Sequence, residues 1–121
     1  MPTKKKVVIF MIDSKEYMDA DNALSRIGGN VALYKKLLIY YLDDNHIDAL
    51  SNAIDSGNVE DASRLAHTIK GVCANLSLNK LRAVAIKLEA CIKEGQDCAD
   101  LLLELRQTFE ETSKVIEDYA C

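Results

Sequence analysis

The placement of one proline and five glycines constrains this 121-residue chain more than any other feature. The proline is Pro2, so no later position forces a helix to break. Gly28–Gly29, Gly57 and Gly95 stand where runs of periodic apolar residues stop, and Gly71 alone stands inside one. Glycine ends a helix readily because it accepts the left-handed conformation. Inside a helix it costs about 0.5–1 kcal/mol relative to alanine. This punctuation predicts long helices and argues against a turn-rich β fold.

Asp19 or Asp21 can cap a short helix that runs to Ile27 and stops at Gly28–Gly29. Asn30 can cap the next, in which Leu33, Tyr34, Leu37, Leu38, Tyr41 and Leu42 recur at steps of three and four. The pattern resumes through Ile47, Leu50 and Ile54, which predicts one long helix bent at Asp43–Asn45. Asn58 can cap a third segment whose inward stripe is Val59, Ala62, Leu65, Ala66, Ile69, Val72 or Cys73, and Leu76. Ser77 can cap a fourth, carrying Leu81, Val84, Ala85, Leu88, Cys91 and Ile92. Asp97 can cap a fifth, with Leu101, Leu102, Leu105, Phe109, Thr112, Val115 and Ile116. The expected fold is all-α, an antiparallel up-down four-helix bundle with a short additional N-terminal helix. Residues 1–16 are expected to form an N-terminal extension and 17–121 the bundle.

Composition narrows the function classes. The net charge of -4 and the scarcity of aromatics disfavour nucleic acid as a partner, because phosphate neutralisation needs a basic stripe. Cys73, Cys91, Cys98 and Cys121 form no C-x-x-C pair, and with only His46 and His67 available no zinc spacing arises. Cys73 and Cys91 fall on apolar stripes, where cysteine serves as a small hydrophobe. The N-terminal run Val7–Ile12 follows three lysines but is too short for a secretory core or a membrane span. The expectation is a cytoplasmic protein with reduced thiols, monomeric by default, without a membrane partner.

Gly71 leads to the functional face. If Leu65, Ile69, Val72 and Leu76 point inward, then Glu60, Arg64, His67, Lys70, Gly71 and Ala74 share the opposite ridge. An exposed imidazole is a nucleophile toward phosphorus. A neighbouring ammonium can neutralise phosphoryl oxygens, and missing side chains let a bulky donor approach in line. The same ridge also fits an ordinary solvated face, with Gly71 serving close helix packing. His46 reads as a residue decorating a bend.

The stretch Arg64–Ser77, RLAHTIKGVCANLS, closely resembles the signature of histidine-containing phosphotransfer (HPt) domains. Ala66, His67, Lys70, Gly71 and Leu76 match; Ile69 stands where leucine is usual and Ser77 where glycine is common. The flanks ALSRIGGNVALYKKLL and AIKLEACIKEG are similar to the family as well, so the likeness covers about residues 19–116.

The resemblance implies that His67 accepts a phosphoryl group on Nε2 from a receiver-domain aspartate and passes it to another receiver. Lys70 would steady that group and Gly71 would open its approach. The partners implied are response-regulator receiver domains and a hybrid sensor histidine kinase. Such a module is a phosphoryl carrier rather than an enzyme and takes no cofactor, the Mg²⁺ belonging to the receiver. Glu89 corresponds to a glutamate that orients the imidazole through Nδ1 in the histidine domain of the chemotaxis kinase, though it also fits a plain surface residue. Arg64 is a candidate docking or phosphate-facing residue. Leu33 and Leu37 could rim a receiver-docking surface, or could simply be core. The alternatives are a phosphoacceptor domain of a chemotaxis-type kinase, a metal-binding bundle (for which only Asp43-x-x-His46 approaches the required spacing) and a non-catalytic helical adaptor.

Overall fold

The computed structural model describes residues 14–44 and 46–121. The run Val7–Ile12 lies outside the described residues. Seven helices follow one another among them: α1 Ser14–Tyr17, α2 Ala20–Arg26, α3 Val31–Leu42, α4 His46–Asp55, α5 Val59–Leu76, α6 Asn79–Lys93 and α7 Ala99–Ala120. The chain is all-helical there, with no strand among the described residues.

Local chemistry sets most of the boundaries. The side chains of Asp19, Asn30 and Asn58 accept from the backbone N–H groups of Asn22, Leu33 and Asp61 at 3.2, 3.0 and 3.1 Å. Gly29, Gly57 and Gly95 take positive φ at the helix ends, as their placement requires. Glu60 and Asp61 occupy the first turn of α5, where carboxylates complement the helix dipole.

Three boundaries differ from the sequence expectation. The expected single bent helix is two helices, α3 ending at Leu42 and α4 beginning at His46. Ser77 does not cap α6. It ends α5 in the left-handed region, with φ 55°, and Leu78 precedes α6 without a side-chain cap. Cys98 rather than Asp97 is the N-cap of α7, although Asp97 Oδ1 still accepts from Ala99 N–H at 3.0 Å.

Ser77 holds a conformation natural to glycine because its neighbours support it. Its hydroxyl donates to Asn22 Oδ1 at 2.8 Å and accepts from Arg26 at 2.7 Å. The same guanidinium donates to the carbonyls of Ala74 and Asn75 at 2.9 and 2.8 Å. Tyr34 donates to the Leu76 carbonyl at 2.7 Å. The carbonyls left open at the end of α5 are thus satisfied from α2 and α3, which fixes the helix that carries His67.

The helices close around one core. α5 packs against α4 and α6, α6 against α7, and α7 against α3 and α4. Leu38, Leu50, Ile69, Leu81, Leu88, Leu105 and Ile116 are fully buried between them. Tyr34 meets Tyr119, and Tyr41 meets Phe109, edge to face with centroids 5.7 and 6.0 Å apart. Cys73 and Cys91 are buried in the core as the stripes imply, and burial pushes the Cys73 thiol up to about 12. α1 lies on α6 and α7 through Tyr17, whose hydroxyl bonds Glu111. α1 spans the expected boundary between residues 16 and 17.

Two stripes depart from the pattern. Leu33 and Leu37 are each 40% exposed, so the inward face of α3 is Tyr34, Leu38 and Tyr41 instead. Val59 is exposed at the start of α5 rather than part of its core.

Candidate functional site

His67 occupies the middle of α5 with its side chain 68% exposed. It stands opposite Ala66 and Ile69, both fully buried, as the helical period dictates. Its Nδ1 lies 3.2 Å from Glu89 Oε2 on α6. Glu89 is 8% exposed, an inward carboxylate on a helix whose stripe is otherwise apolar.

Cations hold that carboxylate in its charged form. Lys70 donates to Oε1 at 2.8 Å, and Lys93 lies 3.3 Å from Oε2. The Lys70 bond, followed by the Lys93 bond, lowers the Glu89 carboxyl below its ordinary value of 4.5 against the opposing effect of desolvation. An ionised carboxylate can only accept. The proton of the bond therefore sits on Nδ1, and in the neutral ring the lone pair is then on Nε2.

Lys70 does not extend freely into solvent beside the imidazole as the ridge pattern suggests. It is half-buried and anchored on Glu89. The pair joins α5 to α6 one turn beyond His67. Arg64 is exposed and paired with Asp61, three residues before it, so its guanidinium is not directed at the ring. The Arg64 carbonyl accepts from Thr68 Oγ1 at 3.0 Å. Ala74 is half-buried and its carbonyl is engaged by Arg26. His46 begins α4, half-buried, with Nε2 3.4 Å from Asp44.

Gly71 answers the question its position raises. A Cβ placed there meets no heavy atom within 4 Å. Its φ is not in the left-handed region, since the positive-φ glycines are Gly28, Gly29, Gly57 and Gly95. Neither internal packing nor backbone conformation requires glycine at 71. The bare backbone faces solvent, one turn from the imidazole.

A shallow groove runs along the other side of the ring. Val59, Glu60, Ser63 and Arg64 line it from α5, and Glu89 and Lys93 from α6. Lys93 is the member of this site that the α5 face does not reveal. Its signal is the Glu-to-Lys spacing of four on α6, which puts the two side chains on one face. Among the described residues no group of three or more His, Cys, Asp or Glu side chains could hold a metal ion. No helix among them is long and apolar enough to cross a membrane.

The arrangement can accept an electrophile at Nε2 while Glu89 compensates the charge that develops on the ring. A family model described as Hpt domain matches residues 43–114, more than half of the chain. No curated protein and no solved structure matches.

Proposed function

The chain belongs to the Hpt domain family, and from that premise we propose that His67 is its phosphoacceptor, taking a phosphoryl group from a receiver-domain aspartate and passing it to another receiver. Membership implies phosphotransfer in two-component signalling, by a carrier rather than a catalyst. The observation that supports the assignment to His67 is its exposed ring, tied at Nδ1 to the buried Glu89 and open at Nε2.

In the proposed transfer the Nε2 lone pair attacks phosphorus and the bond from phosphorus to the aspartyl oxygen breaks. The aspartate leaves as a carboxylate. Nδ1 keeps its proton, and Glu89 balances the positive charge of the ring. Lys70 positions the carboxylate from its second oxygen and adds positive potential beside the incoming phosphoryl group. Gly71 leaves room for the receiver's loops. Leu33 and Leu37, exposed on α3, supply apolar rim for docking, and Arg64 a cation at the groove. The helices form an antiparallel up-down four-helix bundle in this reading, acting in the cytoplasm as a monomer, with Mg²⁺ supplied by the receiver.

A second reading is favoured by the His67–Glu89 contact itself, which resembles that of the chemotaxis kinase's histidine domain: phosphorylation by an ATP-binding kinase core. Incubation with phosphorylated receivers, and separately with a kinase core and ATP, distinguishes the two. Acid-labile phosphate on His67 from receivers supports the relay. Phosphate from the kinase core alone supports the second reading. His67→Gln should keep the helix content and take no phosphate; if the variant still takes acid-labile phosphate, the assignment is wrong.

A further inference from the structure

Glu89 has three donors for two oxygens. Lys70 takes Oε1 at 2.8 Å, whereas His67 Nδ1 and Lys93 Nζ share Oε2 at 3.2 and 3.3 Å. We propose that Lys93 is a positioning residue for His67, acting through the shared Oε2 to keep Nε2 unprotonated and correctly aimed; the proposal rests on the phosphoacceptor reading.

The charged groups around the ring are Glu60, Arg64 and Lys70 from α5 and Glu89 and Lys93 from α6. Arg64 is engaged with Asp61 and Lys70 with the other carboxylate oxygen. Lys93 is the cation that meets the same oxygen as the imidazole. A carboxylate oxygen serving the ring alone would favour the imidazolium form. An imidazolium has no lone pair at Nε2 and cannot attack phosphorus. Dividing Oε2 between the ring N–H and an ammonium weakens that pull. The second donor also limits rotation of the carboxylate, and with it the ring plane. The Lys93 side chain is 63% exposed, so its pairing adds little to stability. The Glu-then-Lys order at four residues is the favourable one, so the contact needs no outside partner.

The test compares the parent chain with Lys93→Met and Lys93→Arg. The His67 ring protons are followed by NMR from about pH 5 to 8, the range in which imidazoles titrate. The rate of His67 phosphorylation by phosphoramidate, a small donor needing no receiver, is measured over the same range. In Lys93→Met the titration midpoint and the acid limb of the rate profile should move up together by roughly 0.2–0.7 unit, the scale of one exposed ion pair. Lys93→Arg should restore both, and helix content should not change. An unmoved or lowered midpoint in Lys93→Met overturns the proposal. So does a rate lowered equally at all pH, which would make Lys93 a phosphate contact. If the parent itself takes no phosphate on His67, the phosphoacceptor reading fails, and the titration alone decides whether Lys93 acts on the ring.

Discussion

The missing side chain of Gly71 has no internal cause, neither packing nor backbone conformation. With open space at its Cβ position, Gly71→Ala should stabilise the protein by about 0.5–1 kcal/mol, read from urea denaturation. Transfer from a receiver should nevertheless slow, and slow further in Gly71→Leu, with no loss of helix content. Equal transfer in all three would return Gly71 to a neutral surface role. Glu89→Gln keeps an oxygen for the Nδ1–H bond but removes the charge that Lys70 and Lys93 face. Phosphotransfer should fall roughly tenfold or more, the scale known for carboxylates that orient metal-ligating histidines. The sequence showed His67, Lys70 and Gly71 on one ridge because helical spacing is local. It could not show that Lys70 folds back onto Glu89, since that depends on where α6 lies. Glu89 itself was legible only through a family likeness; its burial among apolar neighbours comes from packing.

At the scale of elements, the helices and their Asx caps were readable because each cap is a contact within four residues, as at Asn30 and Asn58. The end of α5 was not, because it is completed from α2 and α3. Ser77 holds its left-handed turn through Asn22 and Arg26, more than fifty residues away in sequence. Arg26→Met should cost about 1 kcal/mol or more by leaving the Ala74 and Asn75 carbonyls to water. Ser77→Gly should stay within about 1 kcal/mol of the parent, since relief of positive φ offsets the lost hydroxyl bonds. Ser77→Val should be clearly less stable than either, because a β-branched side chain resists that conformation. Thermal melts of the three variants give the order. The exposure of Leu33 and Leu37 also escaped the pattern: α3 offers more apolar positions than one face can bury, and periodicity does not say which face meets α7.

The whole molecule is acidic, and its site carries a carboxylate held below the ordinary glutamate range by Lys70 and Lys93. A group whose carboxyl is lowered on folding contributes stability that is complete above the unfolded value of 4.5 and is lost as pH falls through the lower folded value. Stability should therefore decline on acidification below about pH 4.5, and Glu89→Gln should show a smaller decline over that interval. An identical acid limb in both proteins would remove Glu89 from the pH dependence. The same carboxylate joins the two scales, since it ties α5 to α6 and holds the ring.

The most direct measurement is mass spectrometry, under conditions that preserve phosphohistidine, after incubating the chain with phosphorylated receivers from its own genome. We expect one acid-labile phosphate, on His67, that disappears in a folded His67→Gln chain and that a second receiver can remove. No acid-labile phosphate on His67 from any receiver, or the label on another residue with His67 unmodified, would contradict it.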